Sequence, residues 1–223
     1  PYSKKKASAA VNLCFKTIKD EQTMIAALES NAIQVCTPPL AEVERLSKDA
    51  KFQILQAPNS TGIWYIEFNL KKLPVDDVRV RQAIGYGTNR SEFVTAAFQG
   101  QGYEYSVALP NGLFGYDDSI GQQYGFTYNP EKAKSLLAEA GWADTNGDGI
   151  VEKNVQPFKT LLLAWDNPVC GKVVQIMQAQ MKAIGIDVEI QTFDWATFVT
   201  KQAEGNWAFE AMNWGWSEPA LIS

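Results

Sequence analysis

The segment from Asp144 to Gly149 carries oxygen-bearing side chains at the spacing of a calcium-binding loop. Asp144, Asn146 and Asp148 stand at alternate positions, and Gly149 suits a tight turn. An EF-hand loop takes ligands from such positions but also needs a bidentate acid at its twelfth position, where this chain has Val155. Aspartate, asparagine and glycine are also common in turns without a metal. We therefore predict a hairpin turn, with incidental or partial Ca²⁺ binding as the alternative.

Tryptophans follow or end three predicted strands in the C-terminal part of the chain. Trp165 follows the first strand, Trp195 follows the second, and Trp214 and Trp216 end the third. In an open α/β sheet, ligands bind in the crevice at the carboxyl ends of the strands. Trp165, Trp214 and Trp216 are therefore candidate ligand contacts, with core packing as the alternative for each. Trp195 and Trp142 are assigned to packing.

The composition excludes several kinds of site. The chain has no histidine, which rules out Ser/His and Cys/His nucleophile pairs and histidine-ligated zinc. The three cysteines, Cys14, Cys36 and Cys170, have no C-x-x-C spacing, so buried free thiols, or at most one disulfide, are expected. A net charge of −5 argues against nucleic-acid binding, and the run Lys4-Lys5-Lys6 is expected to be a solvated tail. We predict no cofactor.

A carboxylate-dependent hydrolase is the enzymatic alternative. Glu67, at the centre of a predicted strand, and Glu218 are the acids considered for it. Two catalytic carboxyl groups would have to lie about 5–10 Å apart, and one of them would need a raised pKa. No sequence pattern requires these two residues to meet. We therefore expect a binding protein, and a measurement of turnover against stoichiometric binding distinguishes the two classes.

Predicted helices and strands alternate along most of the chain. Apolar residues recur every second position in the strands and at helical spacing in the helices. The predicted strands cover residues 11–18, 33–36, 52–56, 64–69, 158–164, 186–191 and 209–214. The predicted helices cover residues 21–30, 38–47, 77–88, 91–100, 129–140 and 168–184 and a segment from 195, and a long loop covers 101–128. This alternation indicates an α/β fold built by crossover connections.

The stretch from Trp64 to Ile84 is predicted to pass from one layer of the protein to another. Its first residues alternate between two unlike faces, as in a strand. Pro74 lacks an amide donor and disfavours helix before it, so the strand ends by Asn69. Asp76 or Asp77 can then cap the following helix. We interpret this stretch as a crossing between two lobes.

Several short motifs occur in order along nearly the whole chain. They are Asp20-Glu21-Gln22-Thr23, Ala27-Leu28-Glu29-Ser30, Phe68-Asn69, Val78-Arg79-Val80-Arg81-Gln82-Ala83-Ile84, Asn89-Arg90, Tyr128-Asn129-Pro130-Glu131-Lys132-Ala133, Leu136–Trp142, Gln178–Ile186, Asp194-Trp195 and Gly215-Trp216. Together they resemble the family 5 extracellular solute-binding proteins of ABC importers, the group of oligopeptide-, dipeptide- and nickel-binding proteins. The ordered set carries the resemblance rather than any single motif.

The resemblance implies a periplasmic-binding-protein-like (type II) α/β fold, with mixed sheets flanked by helices in two lobes. Residues 1–66 would form part of the first lobe, and residues 67–223 most of the second, on the side of the ligand cleft. Members of the family are usually longer, so the chain is expected to be an incomplete fragment.

The resemblance also implies a function without chemistry. The protein would capture an oligopeptide-like ligand between its lobes as the solute-binding component of an ABC importer, with an oligosaccharide as the alternative ligand. Its partners would be that ligand and the membrane subunits of the transporter, and it would act as a monomer. It would be periplasmic or extracellular, with a lipid anchor on a preceding segment as an option.

The ligand site implied by the resemblance lies at the crossing strand and at the ends of two later strands. Family members contact ligand through an aromatic residue on the crossing strand, here Tyr65. Peptide-binding members of the family carry an aspartate soon after the Gly-Trp pair. That aspartate binds the amino group of the peptide. This chain has no aspartate there, so Glu218 is the candidate substitute. The predicted ligand-binding residues are Tyr65, Trp165, Asn167, Trp214, Trp216, Ser217 and Glu218.

Overall fold

The computed structural model describes residues 12–55 and 62–215. Contacts divide the chain into two compact units, residues 1–55 and residues 56–223. The predicted lobe boundary at residues 66 and 67 falls inside a strand of the second unit and stays a prediction. None of the helices in the described ranges combines the length and the apolar character that a bilayer crossing requires.

The first unit contains two helices, α1 (Glu21–Glu29) and α2 (Leu40–Ser47). Asp20 begins α1, because its carboxylate accepts a hydrogen bond from the Thr23 N–H at 2.7 Å. Hydrogen bonds from the Thr23 hydroxyl and amide lower the pKa of Asp20. Both helices form near the positions that the sequence predicts.

The three strands predicted in the first unit do not form among its described residues. Residues 12–18, 33–36 and 52–55 have no strand conformation. Four of their large apolar side chains are exposed: Leu13, Phe15, Val35 and Leu55. A strand needs a second strand to receive its backbone hydrogen bonds, and periodicity alone cannot supply one. The described part of this unit contains no such partner.

The second unit contains a mixed sheet and most of the helices. Its strands are β1 (Gly62–Phe68), β2 (Glu152–Lys153), β3 (Gln156–Pro157), β4 (Lys159–Trp165), β5 (Asp187–Phe193) and β6 (Phe209–Gly215). Its helices are α3 (Val78–Gly87), α4 (Arg90–Glu92, continued by a π-helical turn Phe93–Ala97), α5 (Asp118–Tyr124), α6 (Pro130–Glu139), α7 (Pro168–Ala183) and α8 (Trp195–Glu204). The helix α5 lies within the segment 101–128 that was predicted to be a loop.

Four strands form the main sheet, in the order β1-β6-β4-β5. β4, β5 and β6 are parallel, whereas β1 pairs with β6 in the antiparallel sense. The short strands β2 and β3 form a separate hairpin. Helices flank the mixed sheet, as the predicted fold class requires.

The two faces of the sheet bury different clusters. One face packs against α7, and residues of α3 and α6 join the large cluster on that side, which includes Ile84, Leu137, Leu162, Met177 and Phe209. The other face packs against α8 through a smaller cluster of Leu163, Phe198, Trp207 and Met212. The alternation of side chains along β4 explains this division, since Leu162 and Leu163 belong to different clusters.

The predicted break after β1 is present. The Asn69 side chain donates to the Gly205 carbonyl at 3.0 Å, which ties the end of β1 to the end of α8. Asp77, rather than Asp76, caps α3 by accepting from the Arg79 N–H at 2.9 Å. Arg81 donates to backbone carbonyls just before α3, so its role is to support the backbone.

The three cysteines are free thiols in this structure. Cys170 is buried as expected, and burial raises the pKa of its thiol. Cys36 is only partly buried and Cys14 is exposed, which corrects the expectation of three buried thiols. Cys14 lies in a segment that forms no strand, so nothing there covers its side chain.

Candidate functional site

The carboxyl ends of β4, β5 and β6 lie at one border of the sheet because these strands are parallel. The amino end of β1 lies there too, since Gly62 pairs with Gly215 at the end of β6. We call this border the carboxyl edge. Trp165 ends β4 and Trp214 is the penultimate residue of β6. The edge is therefore the kind of position at which open α/β sheets bind ligands.

Four aromatic rings beside the carboxyl edge form a continuous row, here called the aromatic row: Trp64, Trp165, Trp195 and Phe198. Trp64 and Trp165 stack with centroids 6.3 Å apart and an interplanar angle of 6°. Trp165 meets Trp195 edge-on at 5.6 Å. Trp195 stacks on Phe198 at 5.7 Å. Aromatic pairs of this kind contribute more to stability than their buried area alone accounts for. Each ring also restricts the position of its neighbour.

Trp195 is more exposed than its assignment to packing implied. One face covers Phe198, but 49% of its surface is accessible. Asp194 caps α8 by accepting from the N–H groups of Ala196 and Thr197, which places Trp195 directly after the carboxyl end of β5. In the sequence, the signal for this position was a helix-capping aspartate immediately after a predicted strand. Its exposure at the end of β5 adds Trp195 to the candidate site.

The indole N–H of Trp165 is buried and has no hydrogen-bond acceptor among the residues that the structure describes. An unpaired buried donor costs about 1–3 kcal/mol. Because Trp165 lies at the carboxyl edge, an acceptor from a bound solute, or from a part of the chain outside these residues, would remove that cost.

Asn167 begins α7 and caps it. Its side-chain oxygen accepts hydrogen bonds from the N–H groups of Val169 at 2.9 Å and Cys170 at 3.0 Å. These bonds commit the oxygen to the helix and leave the amide N–H₂ as the group through which Asn167 could contact a ligand. The positive end of the α7 dipole lies at the same place.

Replacement of Asn167 separates its capping role from a ligand contact. Asn167→Ala should lower the free energy of unfolding by about 1 kcal/mol because the cap is lost. Asn167→Asp should keep the cap but remove the N–H donors. Equal ligand affinity in Asn167→Asp and the unmodified protein, measured by calorimetry, would restrict Asn167 to the structural role.

Tyr65 and Trp214 project from the face of the sheet that α8 covers. Tyr65 pairs with Met212 in the β1–β6 register, and both contact the cluster beneath α8. Trp214 lies two residues beyond Met212, so it is on the same face, and it is 49% exposed. Burial, and secondarily the charges of Glu67 and Glu210, raise the pKa of Tyr65. The structure therefore brings Tyr65, Trp165 and Trp214 to one region of the sheet.

Glu210, the second residue of β6, is a fully buried acid. Burial raises the pKa of Glu210 to about 7. The hydrogen bond from the Gln202 amide opposes this rise, and the charge of Glu67 adds to it. Glu67 lies directly opposite it on β1. The Oε2 atom of Glu210 has no partner among the described residues. Because Glu210 has no exposed surface, it cannot act on a substrate, and its raised pKa concerns stability.

Three predicted ligand-binding residues, Trp216, Ser217 and Glu218, lie outside the described residues. The predicted contact between Glu218 and the amino group of a peptide therefore stays a prediction. The carboxylate pair of Glu67 and Glu218, considered for a hydrolase, stays untested for the same reason. The acid that the structure does place beside Glu67 is Glu210.

The segment Asp144–Gly149, predicted to be a hairpin turn with Ca²⁺ binding as the alternative, forms a turn between α6 and the β2–β3 hairpin. Backbone hydrogen bonds of 3.0 and 2.9 Å between Ala143 and Glu152 close it. Asp144, Asn146 and Asp148 accept hydrogen bonds from N–H groups inside the loop. Glu152, which sequence reasoning missed, brings its carboxylate to the same place as those of Asp144 and Asp148. Its position as the ninth residue of the loop was the available signal.

Comparison with known proteins agrees with this architecture. The chain is 30% identical over 204 residues to the dipeptide-binding protein of Escherichia coli, and 33% identical over 204 residues to the oligopeptide-binding protein AppA of Bacillus subtilis. Each alignment covers 91% of this chain but only 36% and 37% of the relative. The chain thus spans little more than a third of the length of these relatives.

A solved structure of AppA from Bacillus subtilis, in complex with a nonapeptide, superimposes with a TM-score of 0.77 at 30% identity. The superposition covers 90% of this chain and 40% of AppA. The sequence profile of the bacterial extracellular solute-binding proteins, family 5 middle region, matches residues 2–220. The chain therefore belongs to the family 5 bacterial extracellular solute-binding proteins.

Proposed function

We propose that the protein is the solute-binding component of an ABC importer and captures an oligopeptide-like ligand without changing it chemically. The observation that carries the proposal is the aromatic row at the carboxyl edge. Trp195 and Trp214 each expose 49% of their surface there, and a bound solute can bury both. Aromatic faces with a few polar groups are the usual lining of such sites.

The relatives support the choice of ligand class. Four relatives at least 30% identical to this chain are named for binding di-, tri- or oligopeptides, and one is named for binding heme. Family members are binding proteins, and a binding site needs no nucleophile, which suits a chain without histidine. The proposed ligand contacts are Tyr65, Trp165, Asn167, Trp195, Trp214, Trp216, Ser217 and Glu218.

The proposal includes an arrangement of lobes that close around the ligand. Residues 1–66 would contribute to one lobe and residues 67–223 to most of the other. The crossing would then lie along β1, and β6 would accompany it because the two strands are paired over their whole length. Closure of two lobes around a solute requires such a connection.

The membrane subunits of the importer would be the partners of a monomeric, periplasmic or extracellular protein, with a lipid anchor as an option.

The test begins with the full polypeptide that contains residues 1–223. Mass spectrometry after gentle purification should detect retained small molecules, and calorimetry with defined peptides should give stoichiometric binding without turnover. Recovery of peptides supports the proposal. Absence of any retained or titrated ligand, or conversion of the peptide into products, would contradict it.

Truncation of the exposed tryptophans should weaken ligand binding. Trp195→Ala and Trp214→Ala should each raise Kd about tenfold or more, because a buried aromatic contact contributes roughly 1.5–3 kcal/mol. Tyr128→Ala is the matched control, since Tyr128 is a 47% exposed aromatic residue next to α6 and distant in sequence from the edge. If all three variants bind equally well, the carboxyl edge is not the ligand site.

An oligosaccharide is the second candidate ligand, because sugar rings also stack on exposed tryptophan faces. Competition distinguishes the two classes. A peptide ligand should be displaced by other peptides and not by an oligosaccharide in large excess, and the reverse result would assign the site to sugars.

A further inference from the structure

The turn between α6 and the β2–β3 hairpin brings together three acidic side chains. Asp144, Asp148 and Glu152 each offer a carboxylate oxygen, and these oxygens all lie within 4.8 Å of one another. Two ligands of one Ca²⁺ ion, each about 2.3–2.6 Å from it, are separated by at most about 5 Å. The spacing of the three oxygens therefore fits a single ion.

Glu152 distinguishes this turn from an ordinary acidic surface loop. The residue is only 7% exposed. Its Oε2 atom accepts hydrogen bonds from the amide and hydroxyl of Thr145, at 2.8 and 2.9 Å. Its Oε1 atom is buried and has no partner among the described residues. A buried carboxyl oxygen is normally paired or coordinates a metal, so Glu152 brings an unpartnered acceptor to the cluster that it forms with two further acids.

The charges around the turn favour a cation. No lysine or arginine in the described ranges forms an ion pair with Asp144, Asp148 or Glu152. Lys153, the nearest base in sequence, donates to the Ala140 carbonyl at 2.8 Å. The three carboxylates thus lie close together without an ion-pair partner among the residues that the structure describes, and a divalent ion would relieve their mutual repulsion.

The backbone of the turn already has the form that such a site requires. Gly147 and Gly149 adopt φ angles of +81° and +88°, which favour glycine. Asp144 accepts from the N–H groups of Gly147 at 2.7 Å and Gly149 at 3.0 Å. A carboxylate oxygen that accepts one N–H keeps a second lone pair for a metal. Binding would therefore require little rearrangement of the chain.

We propose that Asp144, Asn146, Asp148 and Glu152 bind one Ca²⁺ ion through their side-chain oxygens. Glu152, at the ninth position of the loop, supplies Oε1 in place of the acid that an EF-hand has at its twelfth position, where Val155 is 89% exposed. Calcium rather than magnesium is the expected ion, because a flexible set of carboxylate and amide oxygens suits its irregular geometry. The site lies before β4, at the opposite end of that strand from Trp165.

The ion would hold the turn against the rest of the second unit. Val151, inside the turn, donates its N–H to the Gly185 carbonyl at 2.9 Å and accepts from the Phe158 N–H at 2.8 Å. These bonds connect the turn to the end of α7 and to the start of β4. Calcium binding should therefore stabilise the folded protein and leave the ligand edge unchanged.

The test uses the full polypeptide after treatment with a chelator. Thermal unfolding is followed without added metal, with CaCl₂, and with MgCl₂ at equal ionic strength. Calcium at about a hundred times its Kd should raise the folding equilibrium constant about a hundredfold, and magnesium should do much less. Terbium(III), a luminescent substitute for calcium, should bind the site and be excited through the nearby Trp142.

Single substitutions distinguish calcium binding at this site from nonspecific binding of cations to the acidic surface. Glu152→Gln keeps the volume of the side chain and should lower calcium affinity at least tenfold, while the metal-free Tm stays equal or rises. Asp148→Ala, at an exposed position, should have the same effect on affinity without disturbing the core. Asp118→Asn, an exposed acid on α5, is the control and should bind calcium normally. Equal stabilisation by both metal salts, or unchanged terbium binding in Glu152→Gln, would overturn the proposal.

Discussion

Glu210→Gln should stabilise the protein at alkaline pH and leave its stability unchanged at acidic pH. The pKa of Glu210 is raised to about 7 in the folded protein from 4.5. The folded state therefore retains a proton that the unfolded state releases, and stability falls as pH rises from about 4.5 to about 7. At pH 8 the loss amounts to about 3 kcal/mol. Glutamine is uncharged throughout, so the variant should lack this loss.

Denaturant unfolding of both proteins at several pH values measures the effect. The difference in free energy of unfolding between variant and unmodified protein should grow with pH and level off above pH 7. Glu67→Gln should reduce the difference, because the charge of Glu67 contributes to the raised pKa of Glu210. Glu131→Gln, an exposed acid on α6, is the control. A difference that does not vary with pH would mean that Glu210 titrates normally.

Phe198→Ala should destabilise the second unit by about 3–5 kcal/mol. Phe198 has no exposed surface and belongs to the small cluster between α8 and the sheet, with Leu163, Trp207 and Met212. Removal of its ring leaves a cavity in a cluster that has few other members. The substitution also removes the ring on which Trp195 stacks, so ligand affinity should fall as well.

Val199→Ala is the matched control for Phe198→Ala. Val199 is the next residue of α8 but is 43% exposed, and such surface changes usually alter stability by about 0.5 kcal/mol or less. Tryptophan fluorescence during denaturant unfolding reports on both variants. If Phe198→Ala loses stability but binds ligand with unchanged affinity, Trp195 is not part of the ligand site.

These two residues show how the α8 face of the sheet combines support with exposure. Phe198 fixes the position of Trp195 from below, and Glu210 occupies the interior of the same face. Tyr65 packs against the cluster beneath α8, and Trp214, two residues beyond Met212, is 49% exposed. A helix that covers only part of a sheet leaves aromatic side chains both anchored and accessible, which is the arrangement that a binding surface needs.

The elements of the second unit were largely predictable from the chain. The apolar stripe of α7, with Val173, Met177 and Met181, is buried against the sheet. β4, β5 and β6 appear within one or two residues of their predicted positions. Local periodicity was sufficient here because each strand finds a neighbouring strand within the same chain. The strands predicted before residue 56 had the same apolar character but found no partner among the described residues.

The candidate site was predictable only in part. Trp165 and Trp214 follow from their positions at strand ends, because parallel strands bring their carboxyl ends together. Trp195 was assigned to packing, since a sequence does not show which face of a large ring a neighbour covers. Glu152 was missed because the loop was compared with an EF-hand pattern, whose last acid stands three residues later.

The amino-acid sequence alone determined the alternation of helices and strands, the tryptophans at strand ends and the family to which the chain belongs. These features depend on local periodicity and on the order of motifs along the chain. Only the tertiary structure decided that Glu67 faces Glu210, that Trp195 joins an aromatic row, and that Glu152 meets Asp144 and Asp148. Burial and pairing are properties of neighbours distant in sequence. The same residue types can therefore form a core, a ligand contact or a metal site, and the packing of the fold determines which of these occurs.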